Sequence, residues 1–152
     1  MREIMFRGKR LDNGEWAEGY LYEHEPALVG IASENDVPEL SKWFIARTGF
    51  ADWNMSRPVE FVEVAPPTVG QYAGLNDKHG KRIFEGDIVE GADFTAEDGG
   101  YGVVGFDDGA FEIIGNNCCG TFHENYWGRD FEVIGNIHDN PELLEEESNE
   151  TD

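Results

Sequence analysis

Basic side chains are scarce in this chain, which has 11 lysine and arginine residues against 32 aspartate and glutamate residues. The formal net charge of −21 repels phosphate, so it disfavours direct binding to nucleic acid. The same repulsion disfavours docking on an anionic membrane surface. The charge can instead attract a basic partner or cations, or it can serve only to keep the protein in solution.

Cysteine is also rare, and the two cysteines, Cys118 and Cys119, are adjacent. Neighbouring residues are poorly placed for disulfide geometry, so no disulfide framework is expected, which fits a reducing cytoplasm. No apolar run reaches the roughly 18 residues that a membrane-spanning helix needs, and the N-terminus lacks the apolar stretch of a signal peptide. These absences predict a soluble, cytoplasmic protein with no membrane partner.

Glycine and aromatic residues are plentiful, with 19 glycines and 12% aromatics among 152 residues. This length suits one ordinary domain or two small subdomains, and it can bury a core without disulfides or metals. Abundant glycine and few long helical patterns predict a mainly β protein with at most short helices.

Strand patterns dominate residues 1–67, which are predicted to form a β-hairpin-rich N-terminal subdomain. Ile4 and Phe6 alternate with polar residues, and the Asp-Asn-Gly turn at 12–14 leads into a return strand over Trp16–Tyr22. A buried strand is possible at Ala27–Ile31, and a strand is favoured at Val59–Val64. For Pro38–Arg47 two alternatives are open, a short helix or a strand.

Short strands separated by glycine-containing turns fill residues 68–141, and this pattern predicts an SH3-like small barrel. Turns are predicted at 76–80, 85–87 and 107–109, a loop at 93–100 and an irregular stretch at 116–128. The strands between them are Lys81–Phe84, Ile88–Glu90, Tyr101–Phe106, Ala110–Ile114 and Asp130–Ile137.

The C-terminal segment, residues 142–152, is predicted to be an acidic tail that is frayed or disordered. The preceding Asn-Pro pair at 140–141 has the capping chemistry to start one short helix, and Leu143 and Leu144 are expected to pack back onto the body. Removing residues 141–152 leaves 26 acidic against 11 basic residues, so the body itself is acidic.

Three carboxylates around the central turns, Asp77, Glu85 and Asp87, form a candidate cation or acid–base site. Turn chemistry explains the same residues, because Asp bonds to local backbone and glycine supplies positive φ. The spacing also lacks the ligand pattern of an EF-hand loop. The turn interpretation is favoured, and no catalytic, cofactor-binding or metal-binding residue is assigned.

Cysteine and histidine form a second candidate, the C-C-x3-H group of Cys118, Cys119 and His123. Structural zinc sites usually have four ligands, so His138 would be needed as well, and paired cysteine ligands are normally more widely spaced. Ordinary reduced cysteines are therefore favoured, and no cofactor is expected. The chain also has no dinucleotide-binding glycine motif and no P-loop.

Exposed aromatic residues are favoured interface anchors, although most must fill the core of a domain of this size. The candidates are the tryptophans Trp16, Trp43, Trp53 and Trp127, together with ten phenylalanines. The basic cluster at the N-terminus consists of Arg2, Arg7, Lys9 and Arg10. These side chains are predicted to pair with local carboxylates or to meet a neighbouring subunit.

Three stretches resemble the YopX family: Met1–Arg7, the long central run Thr68–Val89 and the closing segment Phe131–Leu144. They occur in the family's order and frame nearly the whole chain. The resemblance implies a protein carried by phages and prophages of bacteria, with an SH3-type barrel in the C-terminal part. It supplies no catalytic residue. Ala73 stands where the family more often has threonine.

Three hypotheses of function follow. The favoured one is a phage or prophage accessory protein that acts as a non-catalytic protein-interaction module, as a homo-oligomer or bound to a host or phage protein. The second is an acidic nucleic-acid mimic that occupies a host DNA-binding protein. The third is a metal-dependent enzyme, which rests only on the many carboxylates and the Cys/His group.

Overall fold

The structure is a computed structural model that describes residues 1–24, 41–52, 55–91, 100–115, 119–121 and 131–145, with only the backbone described at 50–52, 55–59 and 119–121. After its first two residues the chain divides into two compact units, Glu3–Gln71 and Tyr72–Asp152. The described strands are β1 (Phe6–Lys9), β2 (Trp16–His24), β3 (Lys42–Asp52), β4 (Met55–Val64), β5 (Gly70–Asn76), β6 (Arg82–Phe84), β7 (Asp87–Gly91), β8 (Gly100–Asp107), β9 (Ala110–Ile114), β10 (Cys119–Thr121) and β11 (Glu132–Asn136). The helical elements described are a 3-10 turn at Pro66–Thr68 and α1 (Glu142–Glu145).

The first unit contains the predicted N-terminal hairpin. β1 and β2 pair antiparallel around a turn in which Gly14 has a φ of +72°. The end of β2 pairs with β3, and β3 pairs with β4, so the strand order is β4-β3-β2-β1. Gly70 and Gln71, at the start of β5, pair with β1. The predicted hairpin is therefore confirmed, and β2 is shared between two antiparallel ladders.

The ends of β1 and β4 are also tied together. The Leu11 N–H donates to the Glu63 carbonyl at 3.1 Å, and the Ala65 N–H donates to the Lys9 carbonyl at 2.8 Å. These bonds fall short of a continuous ladder, but they bring the outer strand back beside the first. The enclosed core consists of Ala17, Ile45, Val62 and Val64.

In the first unit the structure corrects the prediction for Ile4 and decides between helix and strand for part of Pro38–Arg47. Ile4 lies before β1 and is 53% exposed, because residues 1–5 have no strand pairing that would fix the predicted alternation. Lys42–Arg47 lies in β3, so the strand alternative is confirmed for that part of Pro38–Arg47. The strand at Val59–Val64 is confirmed within β4, whereas Ala27–Ile31 lies outside the described residues.

The second unit is built on a five-stranded antiparallel sheet with the order β10-β9-β8-β7-β11. β5, which begins in the first unit, pairs with β6 through Tyr72↔Phe84 and Asn76↔Arg82. The core of this unit is formed by Ile83, Val89, Val104, Phe111, Ile113 and Phe131. The alternation of buried and outward residues along β8 and β9 follows from the period of two in a strand.

The predicted turns of the second unit are confirmed where they lie in described residues. Gly80 and Gly86 have φ values of +81° and +84°, and the hairpin between β8 and β9 has positive φ at both Asp108 and Gly109. Positive φ at both central residues is the type I′ arrangement that suits a tight hairpin. The loop predicted at 93–100 lies outside the described residues, except that Gly100 already belongs to β8.

Barrel closure is not confirmed for residues 68–141. Among the described strands of this part, no pairing joins the outer members of the sheet, β10 and β11. The irregular stretch predicted at 116–128 needs correction, because Cys119–Thr121 pairs with β9 as β10. β9 supplies the hydrogen bonds there. Cys-Gly-Thr therefore forms a strand although its sequence lacks the alternation of apolar and polar residues that predicts one.

The short helix predicted after Asn140 is confirmed as α1. Leu143 is half-buried, but Leu144 is exposed, so the expected packing of both leucines on the body is found only in part. Residues 146–152, most of the predicted tail, lie outside the described residues. Among the described residues, no helix is long enough and apolar enough to cross a membrane.

Candidate functional site

Exposed aromatic side chains gather on the outward surface of the first sheet. Tyr20, Tyr22 and Phe61 are 57%, 49% and 56% exposed, and Phe44 lies half-buried beside them. These four residues are called the aromatic face. Successive β2 residues point to opposite sides of the sheet, so Tyr20 and Tyr22 face outward while Ala17 packs in the core.

Strand register places the four rings side by side across β2, β3 and β4. Tyr22 lies opposite Phe44, while Ala46 lies opposite both Tyr20 and Phe61. The Tyr22 ring is 6.4 Å from the Phe44 ring and 6.1 Å from the Phe61 ring, measured between centroids. The second pair is nearly perpendicular, at 72°. This is the edge-to-face arrangement that aromatic pairs prefer.

An open groove of about 490 Å³ runs along these rings and is lined by Tyr22, His24, Phe44 and Phe61. The Tyr22 hydroxyl lies 3.5 Å from His24 Nδ1. Residues directly opposite one another in a ladder share a face of the sheet. Glu63, which lies opposite Phe44, and Lys42, which lies opposite His24, are therefore on the same face of the sheet as the rings that line the groove.

Trp16 lies on the same outward surface at the start of β2. The Arg7 guanidinium carbon lies 4.5 Å from the centre of the Trp16 ring, and Lys9 Nζ lies 5.6 Å from it. Both distances are within the range of cation–π attraction. The half-buried Trp43 is placed differently: it packs against the first core and its Nε1 donates to Glu23 at 3.2 Å.

Arg10 confirms the expected pairing of an N-terminal basic residue with a local carboxylate. Its guanidinium donates to both oxygens of Asp12, at 2.8 and 2.6 Å. This hydrogen-bonded pairing raises the pKa of Arg10 and lowers the pKa of Asp12. Arg2, the remaining member of the basic cluster, is exposed.

Asp77 is used by the backbone of its own turn and of β11. Its Oδ1 accepts hydrogen bonds from the His79 and Lys81 N–H groups, both at 2.9 Å, and its Oδ2 accepts one from the Val133 N–H at 3.1 Å. Burial acts to raise the pKa of Asp77, but these three bonds lower it by more. The carboxylate therefore works as a structural acceptor that is 7% exposed.

Asp87 has a similar position in the next turn. Its buried carboxylate accepts a hydrogen bond from the Phe84 N–H at 2.8 Å, across the turn that contains Gly86. Glu85, between them, is half-buried. Within the described segments, no three His, Cys, Asp or Glu side chains come together as a metal site would require. The structure thus gives Asp77 and Asp87 the turn roles that the sequence favoured.

The Cys/His candidate lies almost wholly outside the described residues, as do two of the tryptophans. No side chain is described for Cys118, Cys119, His123, Trp53 and Trp127. His138 is half-buried, and its backbone N–H donates to Asn136 Oδ1 at 3.0 Å in a local turn. Metal binding by these residues remains a hypothesis.

The aromatic face is the feature that sequence reasoning missed. The sequence candidates were tryptophans and phenylalanines, although Trp16, Tyr20 and Tyr22 lie at even positions of the predicted strand Trp16–Tyr22 and His24 continues that spacing beyond it. Aromatic residues at a spacing of two are a signal for one covered or functional face. The opposite alternate positions, Ala17, Gly19 and Leu21, are small or apolar residues, which left the side that faces the core undecided.

Comparisons with known proteins agree with the fold. The crystal structure of protein EF1440 from Enterococcus faecalis matches with a TM-score of 0.50 and 22% sequence identity, over 95% of this chain and 99% of that one. Comparison with curated proteins gives no significant match. The sequence profile of the YopX protein family matches residues 6–145, nearly the whole chain. The chain therefore belongs to the YopX family.

Proposed function

We propose that the chain is a non-catalytic protein-interaction module and that the aromatic face is its docking surface. The observation that carries this proposal is the adjacent exposure of Tyr20, Tyr22 and Phe61 across three strands. Contiguous exposed apolar surface of this kind is typical of interaction sites, whereas isolated exposed apolar residues are not. Tyrosine and phenylalanine are also enriched in the centres of protein interfaces.

The distribution of charge supports this location. Residues 1–71 have 12 acidic and seven basic side chains, a net charge of −5, whereas residues 72–152 have 20 acidic and four basic side chains, a net charge of −16. A docking surface in the less charged part suffers less electrostatic repulsion when a second copy of the acidic chain approaches, and its negative sign still attracts a basic partner.

The proposal extends to the setting of the protein. A cytoplasmic accessory protein of a phage or prophage would bind a host or phage protein, or would form a homo-oligomer. An SH3-like barrel over residues 68–141 remains part of the same proposal, because small barrels serve many interaction modules. An experimental structure that includes residues 92–99 and 116–130 tests the barrel.

Capture from a bacterial host extract tests the docking surface. Tagged wild-type protein is compared with the double variant Tyr22→Ser/Phe61→Ser and with Phe106→Ser, which removes a 53% exposed phenylalanine from the second unit. The double variant should lose the captured partner, because its apolar anchors are gone, while Phe106→Ser should keep it. Sedimentation of the same proteins tests self-association, for which the double variant should have the mass of a monomer.

Thermal unfolding first establishes that all three proteins are folded. The proposal is wrong if the double variant keeps both its captured partner and its assembled mass. It is equally wrong if Phe106→Ser loses them to the same extent, since the loss would then have no link to the aromatic face.

A second candidate function is an acidic nucleic-acid mimic, which the net charge of −16 on residues 72–152 favours. Such a protein would occupy the basic site of a DNA-binding protein by electrostatic attraction, so capture should weaken steeply with added salt and compete with DNA. Capture that is insensitive to salt would exclude it. The metal-dependent enzyme remains a hypothesis that metal analysis of the purified protein tests.

A further inference from the structure

The outward surface of the first sheet already shows how this chain covers the half-buried indole ring of Trp16. Trp16 is approached by Arg7 at 4.5 Å and by Lys9 at 5.6 Å. A guanidinium or ammonium group over an aromatic face is attracted by the negative potential of the ring. One part of this surface is therefore covered by cations from the chain itself.

The groove further along the same surface differs from the Trp16 position. Among the described residues, cations lie over Trp16 and Tyr72 but over none of the groove rings Tyr22, Phe44 and Phe61. Two of these three rings are about half exposed. The Tyr22 and Phe61 rings are nearly perpendicular, with centroids 6.1 Å apart. A flat cation over one ring therefore meets the edge or face of the other.

We infer that this groove binds the guanidinium group of an arginine side chain on the partner protein. This inference rests on the proposed function of the aromatic face and names the partner group that the face recognises. Guanidinium is planar, stacks on aromatic rings and is more weakly hydrated than ammonium, so it leaves water more readily than lysine does. The chain's net charge of −21 draws basic partners toward it.

Charged groups around the groove fix how the arginine enters. Glu63, opposite Phe44, provides a carboxylate that can accept the guanidinium N–H groups. Lys42, which lies opposite His24 on the same face, would repel a second cation there. The groove is thus suited to a single arginine whose guanidinium lies beside Glu63.

A peptide with one arginine among glycine and serine residues is the probe. NMR titration of the full chain follows the arginine δ-methylene protons, which ring currents shift upfield when they lie over an aromatic face. Two matched peptides replace arginine by lysine or by citrulline, the neutral isostere. The expected order of affinity is arginine, lysine, citrulline, with citrulline at least about fivefold weaker than arginine.

Protein variants then locate the site. Phe61→Leu and Tyr22→Leu keep apolar bulk but remove a ring, and each should weaken arginine binding by at least about threefold. Phe61→Tyr, which keeps an aromatic ring, should bind the arginine peptide as tightly as the wild type does. Phe106→Leu in the second unit should also leave arginine binding unchanged. Glu63→Gln should weaken arginine binding without affecting the citrulline peptide.

Several results would overturn the inference. Equal affinity for arginine and citrulline would exclude cation recognition, and unchanged binding in folded Phe61→Leu and Tyr22→Leu would place the arginine elsewhere. No binding at peptide concentrations up to about 10 mM would also refute it. The proposed function would survive each of these if Tyr22→Ser/Phe61→Ser still lost the captured partner, so the two failures are distinguishable.

Discussion

The Asp77 carboxylate connects two distant parts of the chain, its own turn and strand β11. Replacing it with alanine leaves the N–H groups of His79, Lys81 and Val133 without their acceptor. Buried donors that lose their partner are costly, so we expect Asp77→Ala to lower the free energy of unfolding by about 2 to 4 kcal/mol. Urea denaturation measures this loss.

Asp77→Asn and Asp107→Ala are the matched controls. Asparagine keeps one acceptor oxygen and should cost roughly half as much as alanine, while removal of the exposed Asp107 carboxylate should cost under about 1 kcal/mol. A loss in Asp107→Ala equal to that in Asp77→Ala would contradict the structural role of Asp77.

The pH dependence of unfolding provides a second test of Asp77. Because its pKa is lowered in the folded state, its charged form adds stability above the unfolded pKa, near the ordinary value of 3.8. That contribution is lost as the pH falls through the lower, folded pKa. The wild type should therefore lose its advantage over Asp77→Asn below about pH 4, and an advantage that grows in acid would contradict this.

Gly86 shows a positive φ that the turn before β7 requires. Its N–H donates to the Val104 carbonyl at 2.8 Å, and its carbonyl accepts a hydrogen bond from the Ile137 N–H at 2.9 Å. Both backbone polar groups of Gly86 are therefore fixed by hydrogen bonds. At its φ of +84°, Gly86→Ala should cost about 1 to 2 kcal/mol in urea denaturation. Gly105→Ala, which has ordinary φ and space for a methyl group, should change stability by under about 0.5 kcal/mol.

At the scale of elements, the 3-10 turn secures β1 through Thr68. Its hydroxyl accepts the Lys9 N–H at 2.9 Å and donates to the Ala65 carbonyl at 2.6 Å. We expect Thr68→Val to destabilise the protein by about 1 to 2 kcal/mol. Exchange of the Lys9 amide hydrogen, measured by NMR, should accelerate roughly tenfold.

Thr48→Val, at an exposed position of β3, is the control for this substitution. It makes the same replacement of a hydroxyl by a methyl group as Thr68→Val does. It should nevertheless leave the exchange of the Lys9 amide hydrogen unchanged. Equal acceleration in both variants would show that β1 depends on general stability and not on the Thr68 hydroxyl.

Turns and several strands could be predicted because their causes are local. Asp-Asn-Gly and Asp-Asp-Gly supply residues that tolerate positive φ, and Val59–Val64 alternates apolar and acidic residues except at the Phe61-Val62 pair. Strand pairing is different, because it depends on contacts between distant residues. The pairing of β1 with β5 and the inclusion of Cys119–Thr121 in the second sheet have no signal in the local sequence.

The aromatic face could be predicted only in part, for the same reason. Tyr20 and Tyr22 come from one strand, but their neighbours Phe44 and Phe61 are more than 20 residues away, and only the register of β2, β3 and β4 joins them. The sequence did predict that exposed aromatics are interface anchors, without identifying which ones. The turn roles of Asp77 and Asp87, in contrast, followed from residue type and spacing.

For the whole molecule, the central claim is that a protein partner covers the aromatic face. The charge is uneven, −5 on residues 1–71 and −16 on residues 72–152. A partner could therefore bind either the aromatic face or the acidic surface of residues 72–152. Distinguishing them requires a measurement that reports on both parts of the chain in the same sample.

Hydroxyl-radical footprinting of the captured complex is that measurement, because it reads the solvent accessibility of individual aromatic side chains with and without the partner. We predict that oxidation of Tyr20, Tyr22 and Phe61 falls on binding while that of Phe106 is unchanged. Protection of Phe106 with no change at the aromatic face would contradict the account and would place the partner on the acidic second unit.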